Sequence, residues 1–421
     1  MFSSDRRLGP VYQWTILTLL GLVYFLTTAT TFTSLGVVLP GMLRELNWSW
    51  TDAGFGFTLL GLTCGLSSFL PSLLIRKTNV RLTLLTGLLL FLAGFYSLYT
   101  TQSIQRYFIG TAFLGIGFTF MATVPGTYVI SRLFSRQSLA FGFYFTLGGL
   151  GGVVGPWIYF LAAHVFGSWR VHWLISALTL AVVTLITLLV MREGRREITH
   201  ARAVMWQQKK QSSRIYRSQA RWSARQALRT WQFYVIAASY TAFLWCGFTV
   251  NSFAVPHIMD KGFSETIAAT LLSTMAFINA FSRLAGGAIG EWLEPKKLLI
   301  ISLATITFGV LTLSIATSWP LLILFTVLVG IGYGMTFLAS SVLLANYFGR
   351  GPYLELFSVV NLISTFACLA PFFAGAVKDY NGSFTPAFLL IALPVIVILA
   401  ATFFMRPPQH KPVRAYTPSP D

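Results

Sequence analysis

Residues 192–230 read REGRREITHARAVMWQQKKQSSRIYRSQARWSARQALRT, the one long polar stretch in a chain of 421 residues. It holds 11 Lys and Arg, opposed only by Glu193 and Glu197. On both sides the chain is apolar. Hydrophobic residues make up 55% of the whole and charged residues 10%, against about 25% charged in soluble domains. The apolar residues fall in blocks without Asp, Glu, Lys or Arg, such as Trp14 to Pro40, Leu82 to Tyr99 and Leu298 to Thr317. About 20 apolar residues cross a hydrocarbon core, so these blocks read as membrane spans.

Six spans are expected before the polar stretch, at 14–40, 52–74, 80–101, 104–131, 138–164 and 171–191. Six follow it, at 231–257, 265–288, 296–316, 319–346, 354–377 and 384–404. The chain thus divides into residues 1–191, a basic linker 192–230, and residues 231–421 with a short tail. The first block is too long for the apolar region of a cleavable signal peptide. Cys64, Cys246 and Cys368 all lie in apolar blocks, which gives no disulfide framework.

The net charge of +18 has a topological distribution. The linker side of the membrane takes 24 Lys and Arg, and the other side only Arg44, Arg106, Arg170, Lys261 and Lys378. Basic loops stay in the cytoplasm, which places both termini and the linker there. Trp206, Tyr216 and Trp222 interleave with the linker's charges, yet a segment beside a membrane meets anionic lipid rather than nucleic acid.

The two sets of spans echo one another. Pro40 and Pro256 are expected to end the first and seventh spans. Gly115-Ile116-Gly117-Phe118 recurs as Gly330-Ile331-Gly332-Tyr333, and Phe134-Ser135-Arg136 as Phe348-Gly349-Arg350. Three matches in order, at offsets of 216, 215 and 214, point to an ancient duplication. Two six-span repeats form an architecture suited to alternating access, with the substrate near the midplane between them.

These residues resemble the major facilitator superfamily from 14 to 404, and within it the monocarboxylate and oxalate/formate transporter branch. Leu35 to Pro40 followed by Leu46-Asn47-Trp48-Ser49 is similar to that branch's first loop. Arg132-Leu133-Phe134 with Leu139-Ala140-Phe141-Gly142, Trp169-Arg170, Gly262-Phe263-Ser264 with Ala268-Ala269, and Asp379 with Gly382-Ser383 resemble later junctions. The resemblance implies an all-α membrane protein of twelve transmembrane helices in two pseudo-symmetric six-helix bundles. A monomer is the superfamily default and no cofactor is expected, while the short loops and few cysteines point to a bacterial cytoplasmic membrane. Gly142, Gly151, Gly155 and Pro156 match the antiporter motif G-x8-G-x3-G-P, without its last glycine pair. The superfamily loop G-x-x-x-D-R-x-G-R-R is degenerate here. Arg76 stands where its Asp should be and Arg81 ends the stretch, while the second-half copy keeps Gly287 followed by Glu291.

Arg283 is the one Lys or Arg well inside a span, with Asn279 one helical turn earlier on the same face. Intramembrane charges normally face a cavity or a partner. The segment Phe277 to Arg283, followed by Gly287, resembles the eighth-span motif in which monocarboxylate carriers hold the substrate carboxylate with an arginine. The competing reading has Arg283 snorkelling to the nearby interface. All twelve Asp and Glu fall at span ends or in loops, so no midplane carboxylate is available for proton coupling. His257, just past Pro256, is the remaining titratable candidate, set against simple solvation at the interface. Asn251, Tyr333 and Asn361, with Thr27, Thr28, Thr30 and Thr31, add polar groups at midplane depth. No Lys lies within 354–377, where oxalate carriers keep one, and Ser34 falls near the first-span lysine of animal monocarboxylate carriers. A small monoanion, moved by proton symport or anion exchange, fits best. An exporter of a larger drug-like or siderophore-like compound by proton antiport is the alternative, and a non-transporting receptor a third. The chain has no G-x-x-x-x-G-K-[ST] loop and no Cys/His set with metal-ligand spacing, so an ATP-driven pump or an enzyme has no support.

Overall fold

The computed structural model describes residues 10–134, 137–191, 216, 218, 220, 222–289, 293–349 and 352–409. All regular structure among them is helical. The helices before the linker are α1 (Pro10–Thr30), α2 (Phe32–Leu46), α3 (Trp50–Leu66), α4 (Leu70–Lys77), α5 (Val80–Tyr99), α6 (Ile104–Met121), α7 (Thr123–Leu133), α8 (Gln137–Phe166) and α9 (Trp169–Val190). After a short α10 (Ala224–Ala227) come α11 (Trp231–Asp260), α12 (Glu265–Ile289), α13 (Pro295–Ile315), α14 (Trp319–Phe348), α15 (Tyr353–Ser364), α16 (Ala370–Asn381) and α17 (Thr385–Phe404). Among the described residues eleven spans, α1–α2 counted as one, are long and apolar enough to cross a membrane. A twelfth is formed if α3 and α4, bent by 41°, make one span.

Four of these spans are broken, and the sequence supplies the reasons. Proline lacks an N–H and its ring clashes with the carbonyl four residues back. Pro71, Pro125 and Pro371 each sit in the first turn of the second segment of a broken span. A 3₁₀ turn, Thr365–Leu369, precedes the last of them. The break at Thr31 has a different cause. Thr27, Thr30 and Thr31 donate their hydroxyls back to the carbonyls of Tyr24, Leu26 and Thr27, and such back-bonding bends helices.

Pro40 and Pro256, expected to end their spans, lie inside α2 and α11, which run on to Leu46 and Asp260. Neighbouring helices satisfy the groups that such prolines free, so the chain need not stop there.

In the N-half, the helices before the linker, α1 packs on α8 and α9, α5 on α6 and α9, and α3 on α6. In the C-half, α13 packs on α14 and α17, and α12 on α14. The halves meet chiefly where α3 packs on α16 and on the 3₁₀ turn before it, α8 on α12, and α2 on α11. Gly36 makes the last approach possible, because a Cβ there would overlap the carbonyl oxygen of Asn251.

The end of the linker belongs to the C-half. The Ser218 amide donates to Asn346 O at 2.9 Å, and Trp222 packs edge-on against Phe348. Ser223 and Gln226 cap α10 reciprocally, and Gln232 donates to Arg406 O. The linker end of the molecule is where α9 stops and α11 starts. The far end is the opposite one.

Candidate functional site

Arg283 lies on α12 and is half-buried. Its Nε donates to Asn279 Oδ1 at 3.2 Å, which turns the guanidinium back along the helix, away from the interface. The group sits 5.2 Å from the centre of the Phe337 ring. The i, i+4 spacing read from sequence is therefore a physical contact, and the snorkelling geometry is not adopted.

Side chains of α12 and α14 hold this arrangement. Gly334 lets α14 come against Asn279, and Ser282 Oγ donates to Asn279 O at 2.9 Å and Gly330 O at 3.2 Å. Three tyrosine hydroxyls lie within electrostatic reach of the guanidinium: Tyr24 of α1, Tyr240 of α11 and Tyr333 of α14. The Tyr333 ring fills the space left by Gly247, where any Cβ would overlap it.

Among the described residues the ion pairs are Arg44–Glu265, Arg170–Glu45 and Lys378–Asp260. Arg283 belongs to none of them. Its terminal amino groups carry no hydrogen bond among the described residues, so a planar fork of N–H donors is left for an anion.

The other sequence candidates are distributed differently. Asn251 turns its Nδ2 to Gly247 O of its own helix at 2.7 Å. Asn361 is exposed just before the 3₁₀ turn, where its carbonyl accepts from Ser364 and Thr365. Gly151 and Gly155 meet the carbonyls of Phe25 and Ala29 on α1, but a Cβ at Gly142 would meet nothing within 4 Å. Gly149 and Gly152 of the same helix face Ala280 and Ala276 of α12. Pro156 lies inside α8. Arg76 and Arg81 are exposed at the linker end, and Glu291 lies outside the described residues.

His257 is not at a solvated interface. It is 1% exposed, since α11 continues past it. Its Nε2 lies 3.0 Å from Leu313 O, and its ring packs on Phe384 and Phe388. His257→Gln keeps a donor for Leu313, and the variant is expected to fold and to leave the pH profile of uptake unchanged. A flattened profile would make His257 the proton site after all.

Tyr24 and Tyr240 were not singled out by sequence. A signal for Tyr24 did exist, because Thr27, Thr28 and Thr31 continue its helix face at helical spacing. The two rings come from α1 and α11, which only the tertiary fold brings to Arg283.

Fold and geometry together define a multi-pass helical membrane protein with a cation inside a span that has no ion-pair partner among the described residues. The chain matches the Major Facilitator Superfamily over residues 20–301 and 237–419, and it belongs to that family. It is 30% identical over 159 residues to Monocarboxylate transporter 2 of Mesocricetus auratus, covering 36% of this chain and 32% of that protein. For Monocarboxylate transporter 2 of Homo sapiens the identity is 29% over 161 residues, covering 36% and 33%. The matched stretch thus spans about a third of the length of these curated relatives. A bacterial homologue of the human lysosomal transporter Spinster, inward-facing and occupied, shares the fold with a TM-score of 0.72 at 16% identity, covering 94% of this chain and 97% of that one. The nucleoside transporter NupG does so at 0.73 and 14%, covering 93% and 99%.

Proposed function

We propose that the chain is a secondary carrier of a small organic monoanion, a monocarboxylate by preference, working by alternating access and anion exchange. Two six-helix bundles, 1–191 and 231–421, would rock about the site, with the basic linker 192–230 and both termini on the cytoplasmic side of a bacterial inner membrane. The observation that carries this reading is Arg283, a guanidinium inside a span with no carboxylate partner among the described residues.

A charge at span depth costs about 3 kcal/mol or more. A bound monoanion cancels it, while the empty carrier must take it through the occluded state. Asn279 orients the guanidinium without neutralising it, so loaded carriers cross readily and empty ones do not. That asymmetry favours exchange over proton symport. One arginine matches one carboxylate, and Phe337 with the tyrosine rings would favour an organic anion over an inorganic one. The glycine motif of α8 does not favour the exporter, because Gly151 and Gly155 serve the α1–α8 packing.

The test uses proteoliposomes preloaded with a labelled monocarboxylate, taken in turn from a panel of formate, acetate, lactate and pyruvate. Release is expected only when the same class of anion is present outside. Release driven by a pH gradient alone would replace exchange with symport. No release of any acid would sink the anion reading.

A further inference from the structure

Among the described residues, the polar contacts that cross between the halves gather at the far end. Asp379, in the last turn of α16, reaches the start of α3 in the other half. Its Oδ1 accepts from the Trp50 amide at 3.0 Å, and its Oδ2 from the Thr51 amide at 2.7 Å and the Thr51 hydroxyl at 2.5 Å. The first amides of a helix have no partner within the helix and carry a partial positive charge. A carboxylate from the opposite half therefore serves as the anionic cap of α3.

The backbones are close enough for this because Gly54 and Gly375 carry no side chain. A Cβ at either would overlap a carbonyl oxygen of the partner helix, Pro371 O and Trp50 O respectively. The adjacent Lys378 is engaged inside the C-half instead, with Asp260, Gly382 O at 2.9 Å and the Phe384 ring. It anchors α16 to α11 and leaves Asp379 to the other half. A second contact, Arg44–Glu265, also crosses, but at 3.6 Å with Arg44 66% exposed it is the weaker one.

The described residues of the linker end have a different character. There α4 packs chiefly on α5, α6 and α7 of its own half, and exposed Arg76 occupies the place where the superfamily loop carries an acid. We propose that Asp379 is the latch of the far gate. Its capping of α3 holds the halves together on that side and biases the empty carrier toward the state open at the linker end. Opening the far side requires α3 to lose this cap, so Asp379 sets the balance between the two access states without touching the substrate.

The test is a distance measurement by double electron–electron resonance on the full chain in nanodiscs. Spin labels go on Tyr99→Cys of α5 and Tyr380→Cys of α16, one in each half at the far end, 39% and 91% exposed. The background carries Cys64→Ser, Cys246→Ala and Cys368→Ala. The parent is expected to show one dominant short distance. Asp379→Asn should add a longer one, raising the far-open to far-closed ratio by roughly five- to thirtyfold.

Glu45→Gln serves as control. Glu45 ties Trp169 and Arg170 within the N-half, so the variant should leave the distances unchanged. Unchanged distances in Asp379→Asn, or equal widening in both variants, would overturn the latch. Should Asp379→Asn fail to fold, Thr51→Val removes one of the three donors. It is then expected to give the same shift at smaller amplitude, and no shift there overturns the proposal equally. The readout is independent of substrate, so it stands whatever anion the site takes.

Discussion

Arg283→Lys is expected to lower uptake by about a hundredfold or more, with the protein still folded and in the membrane. Lysine keeps the charge, so any role that needs only a cation would survive the change. What it loses is the planar fork with two parallel donors, and the Nε contact through which Asn279 Oδ1 orients the group. Charge-assisted hydrogen bonds inside a protein contribute about 1.5–3 kcal/mol each, and tenfold in affinity corresponds to about 1.4 kcal/mol. Losing one member of a bidentate pair and the orientation of the other accounts for two decades. Arg283→Gln should go further and abolish the thermal shift that a matching carboxylate produces in the parent, since stabilisation by a ligand follows its binding to the folded state. Normal uptake in the lysine variant would move the substrate away from Arg283.

Gly36→Val is expected to stop translocation while sparing ligand binding. A Cβ at this position overlaps a backbone oxygen, that of Asn251, which no change of rotamer can move. The clash is relieved only if α2 and α11, which belong to different halves, separate. Overpacking of this sort costs about 1–3 kcal/mol, and the whole cost falls on the state in which the far end is shut. That is enough to shift a two-state balance by one to two decades. The variant should bind a carboxylate in a thermal-shift assay and fail to exchange it in vesicles. If Gly36→Val exchanges at the parental rate, the closed contact between α2 and α11 is not part of the cycle.

Much of the architecture could be read because a membrane leaves few options. Long apolar blocks must be helices, and one polar stretch in the middle divides them. The contact within the candidate pair on α12 was legible for a similar reason, since Asn279 and Arg283 share a helix face and need no tertiary knowledge to meet. The less legible features all depend on other helices. Tyr24 and Tyr240 join the site from α1 and α11. Proline at 71, 125 and 371 breaks a span, whereas proline at 40 and 256 does not, and the difference lies in where each falls relative to a segment start. His257 was placed one turn too close to the surface because its helix was expected to stop at Pro256. Asp379 looks like an ordinary loop acid in the sequence. The amides it caps are on a helix from the other half.

The docking of the linker's last residues on the C-half has a consequence for how the molecule can be made. Ser218, Trp222 and the capped turn at Ser223 fasten the lead-in of α11 to the half it introduces, leaving the covalent tie between halves to the residues before them. The C-half therefore emerges from the ribosome with its own docking segment. A gene cut within 192–215 would yield two polypeptides that each keep a full set of packed helices. They would find one another through the glycine-lined seams of α3 with α16, α8 with α12 and α2 with α11, as subunits do.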